Sequence, residues 1–262
     1  MSRQRFDLEQ LKHNLYVVKL LANRDRQRSN SSAFLGQMWQ IINPFIYMVV
    51  MALLFTKMFS NDNFKYYQIY ILIGTMINAL FNEGTASCLT ALSGNKNFLI
   101  NASISRELYP IERVYVAFVN FCFSIAIFIF VALYYGLYPR LEWLFIVPNI
   151  ILFTTMILGI GKILAIINVV FADITYFYKI FTLFVFYSSA IFYDTARLSP
   201  IMKKLMLLNP EYVSITIIRS IVIYKRMPQF YYWGILVAYA VILYSVGTYV
   251  YRKNIQNIIE KI

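Results

Sequence analysis

Six long apolar runs, at about residues 34–56, 66–93, 114–138, 143–171, 174–193 and 229–251, limit what this chain can fold into. The first is uncharged from Phe34 to Thr56. As a helix it reaches ~35 Å, enough to cross a hydrocarbon core of ~30 Å. Lipid offers no partner for backbone N–H and C=O groups, so runs of this length must pair internally as helices. Their aromatic and β-branched content does not argue for strands, because barrel strands need only ~10 alternating residues and these runs do not alternate. The expectation is an all-α integral membrane fold with six transmembrane helices.

Composition agrees. Hydrophobic residues make up 60% of the chain and charged residues 14%, against roughly 45–50% and about 25% in soluble domains. The net charge of +12 does not point to nucleic acid. The basic residues lie mostly between apolar runs, where lipid headgroups and the positive-inside rule account for them. Cys88 and Cys122 both fall inside apolar runs and read as small core residues, not as a disulfide or a metal pair.

The leader carries Arg3, Arg5, Lys12, Lys19, Arg24, Arg26 and Arg28, with no apolar core of a signal peptide and no small-residue cleavage site. Residues 6–22 read as an amphipathic helix with Phe6, Leu8, Leu11, Leu15, Val18 and Ala22 on one face; Asp7 and Gln10 are a possible capping box. Such a helix lies along the membrane surface or packs on a soluble partner. Three segments are expected: an interface segment over 1–33, one membrane domain over 34–254 and a tail over 255–262. Lys and Arg counts put both termini in the cytoplasm. The leader, the tail (Arg252, Lys253, Lys261) and the second-to-third loop (Lys96, Arg106, Arg113) are basic, whereas the first outer loops hold only Lys57, Lys65 and Arg140. The basic stretch 194–228 falls outside, where long or structured segments weaken the rule.

Two further segments have a pattern of their own. Ser199-Pro200 and Asn209-Pro210-Glu211 each set a capping side chain before a proline at the first helical position. The apolar runs behind them, 201–208 and 212–224, are too short to span and suit re-entrant half-helices. The loop 94–110, with Phe98, Leu99 and Ile100 beside Lys96, suits a short helix docking on a soluble partner.

Catalytic motifs are missing. The nearest string to a phosphate loop, Gly159-Ile160-Gly161-Lys162, lacks the spacing and the Ser or Thr, and the single His13 has no companions for a metal. Glu83 and Lys162 are intramembrane charges that would each cost several kcal/mol alone in lipid. Two readings stand: they approach each other or share a polar cavity with Asn78, Asn82 and Asn168, or each reaches water separately. Aromatics, 18% of the chain, can stack on sugar rings while their polar tips meet hydroxyls. Tyr47, Phe184, Tyr187, Phe192 and Tyr193 are the channel-lining candidates, with an interfacial aromatic belt as the alternative.

The chain resembles the polysaccharide-export permeases of type-2 ABC transporters. Phe34-Leu35-Gly36, Trp39 and Asn43-Pro44 look like the family's opening of the first span. Ser93 to Leu99 with Tyr109-Pro110 look like its coupling segment, Tyr109 standing for a usual Phe. Asn168-Val169 with Asp173 look like its following turn, with Ala172 where arginine is common. Phe186 to Tyr193 look like its Tyr-Ser-Pro element, with Ser189-Ala190 in place of Ser-Pro, and Leu208-Asn209-Pro210 with Arg219 look like its outer element. The resemblance implies a half-transporter that works as a homodimer with two copies of a separate ATP-binding subunit. ATP and Mg would be held by that subunit, with no cofactor in this chain. Asn95, Lys96, Asn97, Phe98, Leu99 and Ser105 would couple to it, and Asn209, Pro210 and Arg219 would shape the outer element. The cargo implied is a lipid-linked polymer such as O-antigen, capsule or teichoic acid. An exporter of small molecules and a membrane assembly protein without transport are the alternatives. Pro44, which removes a backbone donor, is expected to bend the first span near its cytoplasmic end.

Overall fold

Most of each apolar run that the computed structural model describes is helical; the described residues are 12, 14–24, 42, 46, 49, 50, 66–95, 105–195 and 198–259. The chain forms α1 (Tyr67–Leu89), a 3-10 turn (Ser93–Asn95), α2 (Leu108–Tyr134), a second 3-10 turn (Leu141–Phe145), α3 (Ile146–Val170), α4 (Ile174–Ser188), α5 (Pro200–Met206), α6 (Pro210–Val222) and α7 (Phe230–Ile259). Residues 14–24 of the leader are also helical. No strand occurs among the described residues. Nearly all of the first apolar run lies outside them, including Gly36, Trp39, Asn43, Pro44 and Tyr47.

Three helices are long and apolar enough to cross a membrane: Leu108–Tyr134, Leu141–Val170 and Phe230–Ile258. The bent pair α5–α6 would make a fourth. This is fewer than the six expected, for two physical reasons besides the undescribed first run. α4 has 15 residues, about 22 Å of helix, short of a ~30 Å core. α1 is long enough but interrupts its apolar surface with Asn78, Asn82 and Glu83.

α1 is the central element: 17 of its 23 residues are buried. It packs against α2, α3 and α6 through Ile69, Ile73, Met76, Ile77, Leu80 and Phe81. Close helix approach depends on small residues, as membrane packing demands. A side chain on Gly84 would meet Ile157 at 2.6 Å, and one on Gly161 would meet Cys88 at 2.6 Å. At the α3–α7 seam, a Cβ on Gly159 would strike the Leu243 carbonyl and one on Gly247 the Gly159 carbonyl. α2 stops at Gly136, whose φ of 74° closes the helix with Gly136 N to Leu133 O at 3.0 Å and Leu137 N to Ala132 O at 2.9 Å.

The leader helix buries Val17, Val18 and Leu21 against Leu92, Leu108, Tyr109, Ile166, Tyr251 and Ile255, and Ala22 is buried beside them in sequence. Leu15, expected on its apolar face, is exposed with Tyr16 and Leu20. Val18 and Ala22 are buried as expected, Leu15 is not, and Phe6, Leu8 and Leu11 lie outside the described residues; the buried side follows the ends of α2, α3 and α7. α7 runs on to Ile259, so the tail expected from residue 255 begins as the end of the last helix. Both cysteines are free; Cys88 is buried but Cys122 is exposed, which corrects its expected place in the core.

Candidate functional site

Two clusters of buried polar groups stand out among the described residues: one where α5 and α6 meet α1, and one where the leader meets the ends of α2, α3 and α7. At the first, Ser199 and Asn209 cap α5 and α6 as their sequence predicts. Ser199 Oγ accepts from Met202 N at 3.3 Å and Asn209 Oδ1 from Glu211 N at 2.9 Å. With a proline opening each helix, the pair bends by 105°.

That bend brings the buried Glu211 and Arg219 inward. Glu211 accepts from Asn78 Nδ2 at 3.0 and 3.2 Å and from Ser189 Oγ at 2.8 Å. Asn82 Nδ2 donates to Asn78 Oδ1 at 2.9 Å. Asn209 Nδ2 donates to Val185 O and Ser188 Oγ, each at 2.8 Å, and to Ser189 Oγ at 2.9 Å. Arg219 donates to the carbonyls of Ala190, Tyr70 and Ile191 at 2.8, 2.8 and 3.1 Å. Its guanidinium lies 3.2 Å from the centroid of the Tyr70 ring. Gly74 makes room, since a Cβ there would sit 3.0 Å from Arg219 Nη2.

The chemistry solves one problem. Beyond Ser188 the chain leaves helical geometry, with Ala190 at φ 52°. Exposed carbonyls here would be costly in lipid. Arg219 takes those of Ala190 and Ile191, Tyr67 takes Phe192 O at 2.7 Å, and Tyr70 takes Tyr193 O at 2.8 Å. The turn is thereby pinned to α1 and α6.

At the second place, Lys162 is only 1% exposed. Its Nζ donates to Thr248 Oγ1 at 3.0 Å, lies 3.7 Å from Glu107 Oε2 and sits 4.8 Å from the Tyr244 ring centroid. Glu107 Oε1 accepts from Arg252 Nε at 2.7 Å. One residue earlier, Arg106 O accepts from Tyr251 Oη at 2.7 Å.

These partners correct the Glu83–Lys162 pairing. Lys162 meets Glu107, whereas Glu83 accepts from Asn120 Nδ2. The shared cavity dissolves too: Asn78 donates to Glu211, Asn82 donates to Asn78, and Asn168 accepts from Thr175 Oγ1 at 3.0 Å. The sequence reading missed Glu107 and undervalued Glu211, which it saw only beside a cap.

The aromatic candidates divide. Phe184 and Tyr187 are 70% and 62% exposed on α4. Phe192 is half-buried, edge-to-face with Phe186 at 5.3 Å. Tyr193, also half-buried, donates to Tyr187 O at 3.0 Å. Of the coupling candidates, Asn95 closes the 3-10 turn and Ser105 is exposed, its carbonyl accepting from Leu108 N at 3.0 Å. Lys96, Asn97, Phe98 and Leu99 lie outside the described residues, as does Tyr47. Among the described residues no cluster of His, Cys, Asp or Glu could hold a metal.

Known proteins match this sequence along most of its length. The chain is 23% identical over 244 residues to the O-antigen export system permease protein RfbA of Myxococcus xanthus, covering 92% of this chain and 94% of that one. Two RfbA permeases of Klebsiella pneumoniae are 23% and 24% identical, each over 251 residues, 93% of this chain and 95% of theirs. A profile described as ABC-2 type transporter matches residues 16–223. The chain belongs to the ABC-2 type transporter family.

Proposed function

We propose that this chain is the membrane-spanning permease subunit of an ATP-driven exporter carrying a lipid-linked polysaccharide across the cytoplasmic membrane. The observation that carries this reading is the end-to-end similarity to permeases named for O-antigen export. Two copies form the path and two copies of a separate ABC ATP-binding subunit, holding ATP and Mg, drive it. In this reading the first apolar run, α1 and α4 with its pinned turn complete six spans. Both termini face the cytoplasm, the pair α5–α6 re-enters from the outer side, and residues 95–105 dock on the ATPase. The exposed aromatic face of α4, with Phe184 and Tyr187, borders the polymer, and Tyr47 joins it from the first span. Phe192 and Tyr193 support that face from behind.

The test is co-purification and transport. Expressed with a candidate ATPase from the same gene cluster, the chain should co-purify with it and move lipid-linked polymer into proteoliposomes only with ATP. Phe184→Ala with Tyr187→Ala should cut export several-fold while leaving the yield of the complex unchanged. ATP-dependent movement of small hydrophobic compounds in place of polymer would mean a drug-type exporter. Failure to bind any ATPase would mean an assembly protein.

A further inference from the structure

The buried lysine of α3 has an arrangement that charge neutralisation alone does not require. Lys162 could meet its need for a counter-charge from any neighbouring carboxylate. Its actual partner, Glu107, lies just before α2 begins, where the segment read as coupling returns to the helices. Glu107 uses its second oxygen for Arg252 of α7, and Tyr251 of α7 holds the adjacent Arg106 carbonyl. The segment's end is therefore held by α3 and α7 at two consecutive residues. Those two helices are themselves interlocked where Gly159 and Gly247 let their backbones touch, and Thr248, which accepts from Lys162, is the residue after Gly247.

We infer that Glu107, gripped by Lys162 and Arg252, is a strap that makes the α3–α7 pair move with the coupling segment. Without the strap, a push on that segment is delivered first to α1 and α2, the two helices it is covalently joined to. With it, the push is shared with a second rigid unit, so the two sides of the bundle shift together. The strap deepens the exporter reading above and rests on it. Glu107, Lys162 and Arg252 act in this reading as positioning residues, through the helices they join.

The test separates a strap from a neutralising pair. Glu107→Gln alone leaves a buried lysine without its counter-charge and is expected to lower the yield of folded protein. The double variant Glu107→Gln, Lys162→Met removes both charges. If the pair only neutralises, the double variant regains wild-type export; that result overturns the strap. If the pair is a strap, the double variant assembles with the ATPase and hydrolyses ATP, but polymer moved per ATP falls about tenfold, the scale of a coupling interaction. Arg252→Gln, on the exposed side of the same carboxylate, keeps the question open to measurement should the double variant not assemble. A strap predicts a loss of about threefold in polymer per ATP, the scale of one surface charge pair, and an unchanged ratio overturns it. A wild-type complex that moves no polymer with ATP overturns the exporter reading itself, and the strap with it.

Discussion

The two ends of this helix bundle treat buried charge in opposite ways. Where α5 and α6 meet α1, Arg219 and Glu211 are both buried on one short helix yet do not serve each other. The arginine is spent on carbonyls and a tyrosine ring, and the carboxylate on an amide and a hydroxyl. At the leader end, Lys162 pairs with a carboxylate that is 30% exposed and continues to Arg252, which is 69% exposed. The first arrangement is closed: every partner is fixed by backbone or by a buried side chain. The second opens to water at one edge. A charge held by neutral dipoles makes a stiff joint, whereas a charge chain reaching solvent can be reset at modest cost. The fold puts the irregular turn after Ser188 at the stiff end and, in the proposed reading, the coupling segment at the adjustable one.

The sharpest break in this comparison is Arg219→Leu. It frees the carbonyls of Ala190 and Ile191 in a buried place, and each buried acceptor left unmet costs about 1–3 kcal/mol. The expected outcome is little extractable protein and a collapsed thermal transition; a folded, wild-type-like Arg219→Leu protein would mean the turn is held by the tyrosines instead. Glu211→Gln should do less. The amide still accepts on one side but turns donors toward Asn78 or Ser189, leaving a buried polar atom unmet at about 1–3 kcal/mol. Thermal unfolding in detergent reads that loss, and Asn78→Asp on the same background should recover part of it if the contact is direct, because the new carboxylate accepts from the new amide. The smallest effect belongs to the leader. Val18→Ala removes buried methyl groups worth about 1–2 kcal/mol, seen as easier proteolysis of the leader. Leu15→Ser, on the exposed side, should leave proteolysis unchanged; equal sensitivity at both positions would restore the original placing of the apolar face.

Much of the local structure is readable from the residues. Proline at the first helical position behind Ser199 and Asn209 specifies both half-helices before any contact is known, because the cap and the fixed φ act within four residues. The helical runs follow from length and the demands of lipid. Several placements are not readable. Leu15 and Val17 are both apolar residues of one short helix, and only the surface they meet decides which is buried. Glu107 lies in a loop and Lys162 in an apolar run, and no spacing links them. Similar depth along the membrane made Glu83 one candidate mate for Lys162, beside separate access to water, and depth says nothing about which way a helix faces.

By itself, then, the chain's sequence determined that it is helical, membrane-embedded and broken by two capped half-helices, and its motifs pointed to the ABC-2 family. These are local or compositional properties, set by hydrogen bonding within a helix and by transfer of apolar side chains out of water. Only the tertiary structure decided the partners of Arg219, Glu211, Glu83 and Lys162. Each pairing joins residues far apart in the chain, and it depends on the rotation and crossing of packed helices, which small residues such as Gly74, Gly159 and Gly247 permit.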